Sequence, residues 1–267
     1  MGRNDMCFCG SGRKQKKCHP NIDENSKAAK IIKLYEKITR ELDEQIYGKV
    51  SVKCKKGCNE CCKDYFGISE VEFAIIMDYL YGRLGSEKTE EIIKKGISAC
   101  DDFEKRNPSY FKQLEQNVTG MSGYESMKMD IVNMPEKQEE CLFLDEDGGC
   151  SIYAVRPVIC RTHGVCYFSK DVEHAVCDMI PSYKSNMGNM LNIDKYENDI
   201  REVGAFRKAR EETLIMTRKY PFFYFIKLYF GDGKSVTEYF KLPVTHHILH
   251  SSEDMLYDYV CFLNNIK

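Results

Sequence analysis

The sequence contains no run of about 18 or more apolar residues, so it offers no segment expected to span a bilayer. Its first residues also lack the apolar stretch of a secretory signal, and the expected location is therefore the cytoplasm. Neither sign of charge dominates: 39 Lys and Arg stand against 41 Asp and Glu, for a formal net charge of −2. That balance lacks the global excess of base of a dedicated nucleic-acid binder, and DNA is not expected as a partner. No G-x-G-x-x-G, G-x-S-x-G or H-E-x-x-H pattern occurs, and there is no internal repeat or low-complexity tract. Gly233-Lys234-Ser235 has the end of a phosphate-binding loop, but Leu228 stands where that loop needs its first glycine.

What the chain does have is cysteine, 14 in 267 residues. A reducing compartment keeps thiols free, which makes metal binding the leading explanation. Cys7, Cys9 and Cys18 form one group, Cys54, Cys58, Cys61 and Cys62 a second, and Cys141, Cys150, Cys160, Cys166 and Cys177 a third. Cys100 and Cys261 stand apart and are expected as core thiols, since free cysteine packs as a small hydrophobe.

In the stretch CFCGSGRKQKKCH, Cys7-x-Cys9 and Cys18-His19 make two close pairs across a short loop, the plan of a small tetrahedral zinc site. Gly10 and Gly12 let that loop turn tightly. So short a segment buries too little apolar area to fold alone, and the metal is expected to supply most of its folding free energy. Residues Gly2 to His19, GRNDMCFCGSGRKQKKCH, resemble the SEC-C motif, the zinc-binding segment known from the C-terminal tail of the SecA translocation motor. The resemblance gives ligand roles to Cys7, Cys9, Cys18 and His19 and implies a docking module whose partner is a protein or the ribosome. Two features depart from the pattern: Phe8 replaces a common proline, and the motif lies at the N-terminus. Arg13, Lys14, Lys16 and Lys17 add a basic patch that can meet phosphates or an acidic face, or be a solvated loop.

The second group, CKKGCNECC, confines four thiols to residues 54–62. On a helix they fall within an arc of roughly 100°. Four ligands so close do not easily complete one tetrahedron, and Cys141, Cys150, Cys160 and Cys166 are the natural partners, with Cys177, His163 and His174 also available. Asp145 to Gly149 is a tight polar turn between two of these cysteines, and Pro157 fixes the backbone between the next two. His163 and His174 read more simply as surface or core histidines, and Arg156 and Arg161 as structural donors to loop carbonyls or sulfurs. Cys54, Cys58, Cys61 and Cys62, with Cys141-Leu142-Phe143-Leu144, Gly149-Cys150-Ser151-Ile152-Tyr153 and Arg156-Pro157-x-x-Cys160-Arg161, resemble the YkgJ-like cysteine-cluster family, which implies a zinc- or iron-chelating domain. Thiolate ligands suit zinc, copper(I) and iron-sulfur clusters alike; iron as a cluster is preferred, with zinc the alternative. Lys53, Lys55, Lys56 and Lys63, with the two arginines, can offset the thiolate charge.

Ser26 to Tyr47 predicts a helix from its three- and four-residue apolar spacing, and Ser69-x-x-Glu72 predicts a capping box. Tyr196 to Arg218 reads as an amphipathic helix, and Phe222–Phe230 with Ser235–Phe240 as a β-hairpin around a glycine turn. His246, His247 and His250 invite a third metal site, with His246 and His250 spaced as one helical turn, but read more simply as a solvated loop before a helix near Ser252. The expected fold is α+β and mainly helical, with a zinc knuckle, a cysteine-cluster core and a small C-terminal β-hairpin. Its expected divisions are 1–21 for the knuckle, 22–53 for a helical connector, 54–185 for the cluster domain, and 186–267 for a C-terminal region packed on it. Three functions follow: a metal-binding adaptor with a docking tip; a metal-dependent enzyme for redox or methyl transfer, distantly like flagellin lysine-N-methylases; and a structural scaffold.

Overall fold

A computed structural model describes residues 4–44, 57–63, 65–115, 140–167, 190–196, 199, 205–207, 214–216 and 219–251. In chain order its helices are α1 (Gln15–Cys18), α2 (Lys27–Leu42), α3 (Glu70–Arg106), α4 (Pro108–Leu114), α5 (Val158–Thr162), α6 (Phe222–Phe230), α7 (Val236–Tyr239) and α8 (Pro243–His250). Its strands are short: β1 (Gly67–Ile68), β2 (Cys166–Tyr167), β3 (Leu191–Asn192), β4 (Ala205–Arg207), β5 (Leu214–Met216) and β6 (Tyr220–Pro221). They pair two by two, β1 antiparallel to β6, β2 parallel to β3, and β4 antiparallel to β5 with Phe206 opposite Ile215. The protein is thus mainly helical, with one small antiparallel hairpin in its C-terminal third. Among the described residues no helix is long and apolar enough to cross a membrane.

Local sequence explains where the principal helices begin. Ser26 caps α2 by accepting from the Ala29 N–H, and the buried face of that helix runs through Ile31, Ile32, Tyr35, Ile38 and Leu42. The rest of the predicted helix, residues 45–47, lies outside the described residues. Ser69 and Glu72 cap α3 reciprocally, as their spacing predicts. α3 breaks at Gly85 (φ 79°, ψ 175°), and a second helical stretch runs from Ser86 to Arg106. Cys100 lies on that stretch with no exposed surface, as expected of a core thiol; Cys261 lies outside the described residues.

The C-terminal third corrects three expectations. Phe222–Phe230 is a helix, not a strand: its apolar residues cover all sides of a segment that α3 and α7 enclose, and packing overrides β propensity. Phe225 and Tyr229, one turn apart, both stack on Phe73 of α3, at ring distances of 5.0 and 5.5 Å. Where a second hairpin strand was expected, Ser235 and Glu238 make a capping box that starts α7, with the Ser235 N–H donating to the Glu238 carboxylate at 2.8 Å. The hairpin lies earlier, in β4 and β5, inside the stretch that charge and spacing predict as helix. Likewise, His246, His247 and His250 are on α8, not in a loop; Pro243 occupies its first turn, where a missing N–H costs nothing.

Two cores matter for function. The larger joins α2, both stretches of α3 and α6 to α8, and it includes Cys7, Cys9, Phe143 and Ile152. The smaller lies under the far end of α2, where Leu34, Ile38 and Leu42 meet Val165, Leu191 and Tyr196.

Candidate metal centres

At the N-terminus two backbone limbs close on each other. Met6 and Lys14 form an antiparallel bridge, the Cys7 N–H donates to the Arg13 carbonyl at 2.7 Å, and the Gln15 N–H donates to the Asp5 carbonyl at 2.9 Å. Between the limbs Gly10 (φ 78°) and Gly12 (φ 72°) hold left-handed conformations that side chains with a Cβ rarely adopt. The single turn of α1 then returns Cys18 and His19 to the first two cysteines. Cys7 Sγ lies 3.2 Å from His19 Nδ1 and Cys9 Sγ lies 3.6 Å from Cys18 Sγ, and all four ligand atoms fall within 4.8 Å of one another. A tetrahedral zinc ion with Zn–S near 2.3 Å sets its sulfurs about 3.8 Å apart, so the donor set and its spacing fit zinc.

Electrostatics favours the ligand form of the histidine. Burial, and then the charge of Arg13, pull His19 down to about 4, so its ring is neutral at pH 7 and has a lone pair to give. Burial pushes the Cys7 thiol up to about 12 against the pull of the Cys9 backbone. Burial also raises Cys9, but hydrogen bonds from the Ser11 side chain and backbone outweigh it and leave that thiol below its ordinary value. Cation binding must therefore displace thiol protons, which makes it pH-dependent.

The knuckle has a buried side and an exposed one. Cys7 and Cys9 are only 5% and 6% exposed, in the same core as Ala28, Ile32 and Ile248. Phe8, at the position where the motif favours proline, stacks on the His19 ring at 5.2 Å, and Lys33 Nζ of α2 lies over the Phe8 ring, 5.7 Å from its centroid. Outward stand Met6, 63% exposed, and the exposed Arg13, Lys14, Lys16 and Lys17.

The second set of thiols is assembled from distant segments. Cys61 and Cys62 lie on a 3-10 turn, Glu60–Lys63, stabilised by the Cys62 N–H donating to the Asn59 carbonyl at 2.9 Å. Cys58 precedes them, half-buried; Cys54, Lys53, Lys55, Lys56, Cys177 and His174 lie outside the described residues, as does the side chain of Lys63. The polar turn between Cys141 and Cys150 forms as expected: the Asp145 N–H donates to the Gly149 carbonyl at 2.8 Å, and the Asp145 carboxylate accepts from the Gly149 N–H at 2.6 Å. A Cβ on Gly148 would lie 3.2 Å from Asn59 Nδ2, so this turn rests against the Cys58–Cys62 segment. Cys160 comes from α5.

These thiols act on one another. Hydrogen bonds with Cys141 and Cys61, and then burial, push Cys62 far up. Burial raises Cys160, and the charges of Cys61, Cys141, Glu72 and Cys150 add to it. Burial takes Cys150 up to about 11, with Cys141 and Cys61 adding and Arg156 opposing. Cys61, Cys62, Cys141, Cys150 and Cys160 thus share one electrostatic neighbourhood. Cys166 is set apart: burial raises it to about 12, the other groups acting on it are Lys195 and Glu41, and it packs against the smaller core. His163 meets the Phe66 ring at 5.1 Å.

Two buried residues fix this neighbourhood. Glu72 caps α3 and also reaches across 86 residues to accept from the Val158 N–H at 2.8 Å, while the Tyr35 hydroxyl donates to it at 3.3 Å. Arg161 donates to the carbonyls of Arg156 and Ala154 and to Thr39 Oγ1 at 2.7–2.9 Å, and lies over the Tyr35 ring at 4.4 Å. Arg156 lies over the Tyr153 ring at 4.0 Å. Arg161 is thus the structural donor that its place in the sequence leads one to expect. The second role of Glu72 escapes the sequence, because only the capping half of it is local.

Among the described residues, Cys7, Cys9, Cys18 and His19 are the one set of three or more such side chains gathered closely enough to share a metal ion as they stand. Two family models match the chain. The SEC-C motif matches residues 3–19, and CxxCxxCC, described as "Putative zinc- or iron-chelating domain", matches residues 53–178. No curated protein and no solved structure matches. The first match covers the four gathered ligands, and the second covers every cysteine of the shared thiol neighbourhood.

Proposed function

We propose that the protein is a metal-binding adaptor with a zinc-held docking knuckle and a second thiolate site that holds iron as an iron-sulfur cluster. Metal binding itself rests on both family matches and on the N-terminal ligand geometry. The observation that carries the adaptor reading is the two-sided knuckle: Cys7 and Cys9 are buried against the body, and its basic rim with Met6 faces outward. Such a surface suits an acidic partner, whether a protein face or ribosomal phosphate. The cluster reading is supported by five mutually interacting thiols, more than the four that close a structural zinc shell.

The test is elemental analysis of chain purified without oxygen, together with its visible spectrum. Zinc plus iron, with brown absorption that bleaches in air, is the expected result. Zinc alone and a colourless sample overturn the cluster and leave zinc at the second site. Binding to ribosomes or to an acidic protein, measured with and without neutralisation of the knuckle's four basic residues, tests the adaptor half; binding unchanged by neutralisation overturns it.

A further inference from the structure

Behind the knuckle, and separate from both cysteine groups, α8 carries His246 beside His250, and His250 faces the chain that leaves the knuckle. The two rings are four residues apart on one helix face, with centroids 4.7 Å apart. Asp23 Oδ2 lies 3.7 Å from His250 Nδ1, and the Asp23 backbone is held in place because its N–H donates to the Leu249 carbonyl at 2.9 Å. Beneath them is Asp78 of α3, a carboxylate only 7% exposed. Among the described residues its one hydrogen bond is from the neutral amide of Asn21, at 2.9 Å, and His250 is near enough to act on its charge. A carboxylate buried to that degree with a single neutral donor lacks compensating charge.

We propose that His246, His250 and Asp23 hold a third metal ion of the zinc class, with Asp78 as the buried carboxylate behind them. Imidazole and carboxylate donors suit zinc and its neighbours, and helical histidines at i and i+4 present two nitrogens to one point. Around a tetrahedral zinc, nitrogen and oxygen ligands lie about 3.3 Å apart; Asp23 and His250, at 3.7 Å, are close to that, and His246 must turn its ring to complete the set, since the three donors are not gathered as they stand. The ion would bridge three parts of the fold: the segment following the knuckle, the first half of α3, and α8. It would supply the positive charge that Asp78 lacks and tie the start of the chain to its last described helix.

The experiment is equilibrium dialysis of the full chain, its thiol sites loaded beforehand, against buffered zinc, followed by zinc per chain. Wild type is expected to take up one more zinc ion than His246→Ala/His250→Ala, and Asp78→Asn to weaken that uptake about 10- to 100-fold. Equal zinc in wild type and the double variant overturns the proposal. Should the double variant fail to fold by circular dichroism, Asp23→Asn at an exposed position decides instead: loss of the extra zinc supports the site, and unchanged uptake overturns it.

Discussion

The knuckle takes its four ligands from residues 7–19 and closes them with local backbone hydrogen bonds, whereas the second set of thiols comes from three segments between Cys58 and Cys160. The first has almost no apolar surface of its own and borrows the core through Cys7 and Cys9. The second is positioned by buried polar residues, Glu72 and Arg161, that tie α2, α3 and α5 together without any metal. The difference separates two ways of making a thiolate site: in one the ion organises the chain, in the other the chain organises the thiols and the ion follows.

Removing the knuckle's metal should therefore produce the largest effect. With zinc about 1,000-fold above its dissociation constant, its loss costs about 4 kcal/mol of folding stability. Cys9→Ser is expected to lose one zinc ion and that stability while keeping the metal of the second site, checked by elemental analysis and denaturant unfolding. The converse is Glu72→Ala, which strips acceptors from the buried Ser69 and Val158 N–H groups and should cost about 3 kcal/mol. It should empty the second site and leave the knuckle zinc in place. If each variant empties both sites, the two are one cooperative unit and the contrast fails.

Proton linkage sharpens the same contrast with effects of at most about 1.4 kcal/mol per pH unit from each group. In the metal-free knuckle His19 sits at about 4 against 6.5 for the free side chain, so between these values the unfolded chain binds more protons and stability rises with pH. On α3 the sign is opposite. Burial holds Glu70 at about 8 against 4.5, with the Tyr229 hydroxyl donating to it, so the folded chain keeps a proton that unfolding releases. Stability from this group is complete below pH 4.5 and is lost as pH rises toward and through 8. Glu70→Gln should remove the fall in stability between pH 4.5 and 8, which flattens the slope above 6.5 and leaves the rise due to His19 unopposed between 4.5 and 6.5. Unfolding curves from pH 4 to 9 on metal-free protein read both slopes.

The knuckle was legible from its sequence because everything that makes it is local: ligand spacing, glycines at the turn, and a closing helical turn. The second site was legible in its parts, in the Asp145–Gly149 turn and the capping serine at position 69, but not in its assembly, which depends on Glu72 meeting Val158 and Arg161 meeting Thr39. Cys166 continues the cysteine series, and its packing under α2 beside Lys195 and Glu41 is likewise a product of the tertiary fold that its spacing does not announce. In the C-terminal third, propensity misled at Phe222–Phe230, where the apolar run is a helix wedged against Phe73, and the Ser235-x-x-Glu238 signal that corrects the next element was already in the sequence.

The smallest effect on stability is expected where the functional effect is specific. Arg13, Lys14, Lys16 and Lys17 stand exposed on the knuckle's outer rim, so replacing all four with glutamine should move stability by about 0.5 kcal/mol or less per residue. One exception is built in: Arg13 helps hold His19 neutral, so its loss raises the histidine toward its ordinary value and weakens zinc at acid pH only. Zinc content at pH 7 should stay at the wild-type level while binding to an acidic partner falls and loses its dependence on salt. If zinc is lost at pH 7 as well, the rim belongs to the metal site and not to a docking face, and the division of the knuckle into a buried half and a presented half is wrong.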